Sequence, residues 1–428
     1  MAVGPRTGGG HAGNAYDGPH FYNLGLMERG SQHVIVDGIT FETPGMAGVY
    51  VNGSDVTVRN CWFLGCRTGV SGRKESEDPA QTTNRITIEY CDFSQYPAFD
   101  DMLEIIRTRS KPDDTPDFPL YWWSRKGKGA GDSNTYEIGM CNLVGSDWVV
   151  RHNYIHDAFE GLATWGVRWS KGLDIYRNRF ERIVDNAIEM EDHTSDMRIH
   201  QNLIINAVEP LSWQPLGGEP WPGPAYIYGN VIRSDAALND MITEATDWSP
   251  GWFKAGASAK NWDAPWNSHM KDKPRDSVRA PGDGIVVFNN TVIFPGGYFL
   301  TRVHPSSRTF ENFWFINNLC AASGFSRQEG SSAENMRFIA NVWIDLHPGE
   351  QRAAIFAGEG GAVLEADSSS DNWSITVDSL LQPSYVQDFE GVAVPQASSV
   401  CPGADDISSV GALMGTQHWS NPVVGPQL

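Results

Sequence analysis

Residues 174–204 read DIYRNRFERIVDNAIEMEDHTSDMRIHQNLI, and this stretch opens and closes on one phrase. The phrase is a few alternating apolar residues, then Asn, then an apolar residue two places on: DIYRNRF at 174–180 and RIHQNLI at 198–204. Further along it recurs as YIYGNVI at 226–232, VVFNNTV at 286–292, WFINNLC at 314–320 and RFIANVW at 337–343. In the other direction it recurs as VVRHNYI at 149–155, ITIEYCDF at 86–93, VTVRNCWF at 56–63 and VIVDGITF at 34–41. Neighbouring copies lie 22 to 30 residues apart, apart from two gaps of about sixty. Period-2 strands recurring at that spacing are what a parallel β-helix requires, because each coil buries its apolar face only against the next.

Aligned on the phrase, one column holds Cys61, Cys91, Asn153, Asn178, Asn202, Asn230, Asn290, Asn318 and Asn341. Stacked amides at an internal turn satisfy one another's donors and acceptors, and small thiols replace them where the turn is drier. The column therefore reads as a ladder, with Cys61 and Cys91 as members of the stack rather than catalytic nucleophiles. A propeller or sandwich would need antiparallel strands joined by tight hairpins. Asp37-Gly38, Asn52-Gly53 and Asp283-Gly284 are among the few hairpin-type pairs present. At roughly 4.8 Å per rung the ten copies predict a rod near 45 Å long.

The chain has 428 residues, 40% hydrophobic and 20% charged, which is ordinary for a folded protein. Its 44 glycines mark a chain that turns often. Fifty-two acidic against 32 basic residues leave a net charge of −20. That balance argues against nucleic acid or an anionic membrane surface as a partner. No run of eighteen apolar residues offers a membrane span, and the opening MAVGPRTGGGHAGN has no apolar signal-peptide core. The six cysteines form no CxxC pair and no zinc spacing, so no metal set is expected from them.

The spacing divides the chain into an N-terminal extension at 1–33, a repeat region at 34–344 and a C-terminal capping tail at 345–428. Insertions are predicted at 97–145 and 233–283, where loops carry binding function in repeat proteins.

The second strand of each coil aligns Val49, Val70, Leu162, Ile188 and Leu211 in one inward column. On the middle coil, NAIEMED at 186–192 then turns Ile188 in, Glu189 out, Met190 in and Glu191 out. The two glutamates share a face with Cα atoms about 6.5–7 Å apart. Ala163 and Ser212 flank Glu189 and leave floor space; Trp165 and Gln214 flank Glu191. Paired carboxylates on a rigid strand suit glycosidic-bond hydrolysis, one as general acid and the other as base or nucleophile, their mutual repulsion dividing the roles. The bland alternatives are a Ca2+ site of hard oxygen ligands or a solvated acidic face.

Asp192 and His193 follow the pair. TWGVRWSKG brings Trp165, Arg168, Trp169 and Lys171, and SWQPLGGEPW brings Trp213 and Trp221. Trp122, Trp123, Trp248, Trp252, Trp262 and Trp266 sit in segments read as loops. Exposed aromatic planes stack on sugar rings, although about half of these tryptophans are expected to pack insertions onto the rod. Glu160, Asp185 and Glu209 enter the same strand region as further candidates. Asp174 and Arg198 read as a cross-strand ion pair, and His152, His156 and His200 as satisfied turn or surface histidines.

With these residues in view, the chain resembles the right-handed parallel β-helix superfamily typified by pectate lyases, over about 34 to 343. NYIHDAFEGL, NRFERIVDNAIEMED, NLIINAVEPLSWQP and GPAYIYGNVI are similar to bacterial right-handed β-helix repeat proteins. The resemblance implies an all-β fold of about ten coils and activity on polysaccharides, by elimination or hydrolysis. Lyases resembling chondroitinase B or alginate lyase carry a Glu-x-Glu pair that binds Ca2+, followed by a Lys base and an Arg. Glu189-Met190-Glu191 matches the first part. The lysine is missing, since 192–198 read DHTSDMR with Asp196 near its place. Polygalacturonase-like hydrolases use an aspartate cluster, to which the acidic patch is only loosely similar. No family's catalytic set transfers residue by residue.

The expectation is an extracellular or periplasmic glycoside hydrolase requiring no cofactor, Ca2+ being compatible with its glutamates, acting on a polysaccharide or oligosaccharide. Glu189 and Glu191 are the expected acid/base pair with Asp192 assisting. Glu160, Trp165, Arg168, Trp169, Lys171, Asp185, His193, Trp213 and Trp221 are the expected substrate contacts. The alternatives are a polysaccharide lyase and a non-catalytic glycan-binding rod.

Overall fold

The computed structural model describes residues 25–27, 30–42, 47–66, 68–72, 83–95, 139–164, 171–190, 195–213, 225–235, 239, 250–255, 277–279, 285–301, 309–311, 313–327, 336–339, 341–345, 362–365, 375–376 and 399–400. They are almost wholly β, and no helix among them is long and apolar enough to cross a membrane. Every described strand pair is parallel except the short Ile375–Thr376 with Ser399–Val400, which excludes the meanders of a propeller.

The ten copies of the phrase supply the ten strands of one sheet, from Ser31–Asp37 at one end to Met336–Ile339 at the other. The alternation explains the register. Val36, Val58, Ile88, Val150, Ile175, Ile199, Ile227, Val287, Phe315 and Phe338 face one another in sequence, all turned into the core. Burying each such side chain contributes about 1.5–3 kcal/mol. After the ladder residue a second run begins, including Thr40–Glu42, Trp62–Leu64, Asp92–Ser94, Tyr154–Ala158 and Arg179–Met190. A third run holds Ala47–Tyr50, Thr68–Ser71, Gly139–Leu143, Glu160–Thr164 and Gly251–Ala255, and the long strands Arg179–Met190 and Leu203–Trp213 join it to the second. The two runs form a 17-stranded sheet around one continuous apolar interior. Such stacked parallel sheets are compatible with a parallel β-helix.

The amide column is made. Asn153 Nδ2 donates to Asn178 Oδ1, Asn178 to Asn202, Asn202 to Asn230, Asn230 to Asn290, Asn290 to Asn318 and Asn318 to Asn341, at 2.9–3.0 Å. Each of these oxygens also accepts the backbone N–H of the preceding ladder residue. The second Nδ2 hydrogen goes to a strand carbonyl, as from Asn178 to Val150 at 2.9 Å. Cys91 joins the column through its backbone N–H, which donates to Asn153 Oδ1 at 3.0 Å. The residue before every ladder position from Cys61 to Asn318 is left-handed: Asn60, Tyr90, His152, Arg177, Gln201, Asn289 and Asn317 have φ of 52–56°, and Gly229 has 61°. Outside glycine this costs roughly 1–2 kcal/mol per residue. The cost is tolerated because it turns the next side chain inward onto the ladder.

Rings also stack at the rung spacing. Phe41, Phe63 and Phe93 run through the interior with centroids 4.9 and 4.5 Å apart. A Cβ on Gly48 or Gly69 would collide with Phe63 or Phe93, so those strands need glycine there. Outside, Tyr176, His200, Tyr228 and Phe288 stack at 4.8–5.0 Å.

Three expectations change. Gly139–Leu143 and Gly251–Ala255 lie inside the stretches read as insertions, yet are strands of the 17-stranded sheet. They escape the phrase because they belong to the third run, which carries no ladder residue. Trp252, read as a loop tryptophan, is fully buried against Phe253 and Phe299. Asp174 and Arg198 do face each other, but Asp174 is hydrogen-bonded to His200 at 3.0 Å and Arg198 pairs with Asp196 at 3.2 Å.

Asn202→Ala would strand the Asn178 N–H and amide hydrogen and the Ile175 carbonyl, all inside the ladder. At about 1–3 kcal/mol per orphaned buried group, the expected loss in urea denaturation is about 3–5 kcal/mol. A loss below about 1 kcal/mol would contradict a stabilising ladder.

Candidate functional site

Strand Arg179–Met190 carries Glu189 with the expected alternation, since Ile188 and Met190 are both in the core. Register sets Glu189 beside Ala163 on one side and Ser212 on the other, and Ser212 beside Lys254. One outward column therefore runs Ala163, Glu189, Ser212, Lys254. The small side chains next to Glu189, Ala163 and Ser212, are themselves buried. Glu189 is only 7% exposed. Asn186 Nδ2 donates to its Oε1 at 3.1 Å and holds it in place.

Ionisable groups concentrate at this level. Asn186 faces Glu209, and Glu160 stands level with Asn186, two residues ahead of the Leu162–Ile188 pair. Glu160, Asp185 and Glu209 are all buried, Asp185 and Glu209 completely. Lys254 Nζ meets Glu209 Oε2 at 3.1 Å with both side chains nearly inaccessible. Burying charge costs free energy unless it is paired, so a pair here is bound to its partners. Lys254 and Asn186 were not singled out from the sequence. Lys254 hid in GWFKA, inside a supposed insertion, and its alternation behind Phe253 was the only signal.

Of the expected substrate contacts, Trp213 moves. It is 1% exposed and part of the core, because it faces Met190 one step beyond the outward Ser212. Its ring presents no free face to a sugar. Lys171 begins strand Lys171–Tyr176, whose backbone pairs Lys171 with Ser195, while its side chain is outside the described residues. Trp165, Arg168, Trp169, Glu191, Asp192, His193 and Trp221 lie outside them altogether, as do Trp122, Trp123, Trp248, Trp262 and Trp266. Among the described residues, no group of three or more His, Cys, Asp or Glu is placed to hold a metal ion.

A second polar cluster lies on the outer side of the second run. Arg182 holds Asp157 through two bonds of 2.7 Å and Glu181 through one of 2.6 Å. Arg179 and Tyr154 both donate to Glu181. His156 sits between Asp157 at 2.5 Å and Asp92 at 3.0 Å, its ring stacked on Tyr154. Burial opposes the charged imidazole, but the hydrogen bonds to Asp157 and Asp92 outweigh it and lift its pKa to about 9. His156 thus departs from the surface-or-turn reading, while His200 Nε2 is bonded to Asp174, and His152, at a turn, stacks on Tyr90 with burial drawing its pKa down. No protein-family model, no curated protein and no solved structure matches this chain.

The His156 pair sets a pH dependence. A folded pKa above the ordinary value of about 6.5 means the contribution is complete below about pH 6.5 and is lost as pH rises through about 9. His156→Gln should therefore melt several degrees below the parent protein near pH 6, corresponding to about 2–3 kcal/mol, with the gap narrowing above pH about 9. A gap independent of pH would refute the charged reading of His156.

Proposed function

We propose that the chain is a polysaccharide-degrading enzyme, a glycoside hydrolase on a right-handed, pectate-lyase-like β-helix of about ten coils, working outside the cytoplasm. The observation that carries this reading is Glu189. It is a carboxylate on the outward side of a rigid strand, oriented by Asn186, with the small residues Ala163 and Ser212 beside it. Buried, positioned ionisable groups cluster at functional sites. Glu191 lies two residues on, and the pair would share the work: one protonates the leaving oxygen, and the other activates water on the opposite face of the sugar. Their separation along the strand leans towards inversion of the anomeric centre. Asp192 assists, and Glu160 and Asp185 shape the field around the pair. Trp165, Arg168, Trp169, Lys171, His193 and Trp221 supply the sugar contacts. No cofactor is required.

One observation favours a second reading, elimination by a polysaccharide lyase. Lys254 brings a cation into the column of Glu189, about 10 Å away at two rungs. Buried and paired with Glu209, it sets the field around Glu189, and elimination would take Ca2+ at the glutamates to bridge a uronate carboxylate.

Purified protein assayed on neutral and acidic polysaccharides, with and without EDTA, separates these readings. Hydrolysis gives new reducing ends without the ultraviolet absorbance of an unsaturated uronate, is indifferent to EDTA, and falls about 10²–10⁴-fold in Glu189→Gln. Absorbance abolished by EDTA would replace hydrolysis with elimination. Sugar binding without turnover, unchanged in Glu189→Gln, would leave a glycan-binding rod.

A further inference from the structure

The ladder changes chemistry towards its N-terminal end, where Cys61 and Cys91 hold the places that asparagines fill from Asn153 onward. Register sets the two side by side. Val58 faces Ile88 before the turn, Trp62 faces Asp92 after it, and the Asp92 N–H donates to the Cys61 carbonyl at 2.9 Å. Both thiols adopt one pose. Cys61 Sγ lies 3.7 Å from the Val36 carbonyl, and Cys91 Sγ lies 3.7 Å from the Val58 carbonyl, Val36 and Val58 being facing residues themselves. Each cysteine is thus the image of the other one rung along, about 4.8 Å away. That spacing falls inside the roughly 4.4–6.8 Å between Cα atoms that a disulfide spans, and the two thiols, free in this structure, close the bond once their Cβ atoms draw together by a few tenths of an ångström or more. The other described cysteines have no such neighbour in register: Cys141 faces Val70 and Leu162, and Cys320 faces Val292 and Trp343. Cys66 lies against the Phe41 carbonyl.

We propose that Cys61 and Cys91 are a redox pair that closes to a disulfide and ties successive rungs together near the N-terminal end of the stack. With a small disulfide such as oxidised glutathione as oxidant, the Cys61 thiolate attacks one sulfur and expels the first glutathione. The Cys91 sulfur then attacks the mixed disulfide at Cys61 and expels the second. Two electrons pass from the cysteines to the small disulfide, and the two cysteine protons end on the two glutathiones. The neighbouring Cys91 side chain draws the Cys61 thiol below its ordinary value, while burial pushes Cys91 well above it, so Cys61 attacks first. Both are fully buried. Access therefore comes through opening of Ser31–Asp37, the end strand of the ten-stranded sheet, which pairs with the strand leading into Cys61.

The test uses the full chain equilibrated natively in graded reduced and oxidised glutathione, quenched with acid, alkylated and mapped by mass spectrometry without reduction. The expected result is one dominant cross-linked peptide, Cys61 with Cys91, whose population falls as reduced glutathione rises. Cys141 and Cys320 stay alkylatable once unfolded. The oxidised protein should melt a few degrees above the reduced one, because closing the loop restricts the unfolded chain. Cys61 and Cys91 both alkylated at the most oxidising ratio, or cross-linked no more than other pairs, would overturn the proposal. The map of the unmutated chain decides this without a variant that might misfold.

Discussion

An amide that gives and takes hydrogen bonds along the stack is the constraint on which the rest of this structure depends. Each ladder Asn from Asn153 to Asn318 accepts from the rung before it and donates to the rung after it, so none of these rungs can slip without breaking bonds on both sides. A slip of one residue would turn every strand's apolar face to water. The ladder therefore dictates the direction of each side chain that follows. Phe180 enters the core two residues past Asn178. Simple alternation would then send Ile183 outward, but left-handed Arg182 bends the chain and brings it in. A register shift between Ile183 and Asn186 leaves Ile188 inward and Glu189 outward.

The site sits where this order is locally expensive. An apolar stack has no reason of its own to bury Glu160, Asp185, Glu209 and Lys254 within a few rungs of one another. Replacing such a pair with well-packed apolar residues is often neutral or stabilising, so stability alone does not explain its presence. The cluster around His156 differs. Its cations and carboxylates are matched partner by partner, and it clamps the bend at Asp157 and Arg182, both in the left-handed region. One cluster is a closed charge network; the other keeps an oriented carboxylate in a column with small neighbours.

Much of this was legible in the sequence, because the ladder and the alternation are written residue by residue. The inward column of Val49, Val70, Leu162, Ile188 and Leu211 pairs as expected, as do Ala163 and Ser212 with Glu189. The third run was harder to read. It has no ladder residue, so Cys141 and Phe253, which belong to that same inward column, passed for parts of insertions. Lys254 was lost with them. Trp213 was misjudged for another reason: its place in an aromatic-rich segment drew a binding role, although the parity already fixed at Leu211 turns it inward. The Asp174–Arg198 pair failed because facing positions offer contacts without choosing among them, and His200 and Asp196 were the better-placed partners.

Native-state hydrogen exchange across the ladder turns is the most direct measurement of the central claim. If the amide column locks the rungs into one unit, peptides around Asn153, Asn178, Asn202, Asn230, Asn290 and Asn318 should exchange together. Their opening free energies should approach that of global unfolding. Ladder turns that open independently, far below the global value and with strand amides on either side still protected, would show that the column follows the register rather than sets it.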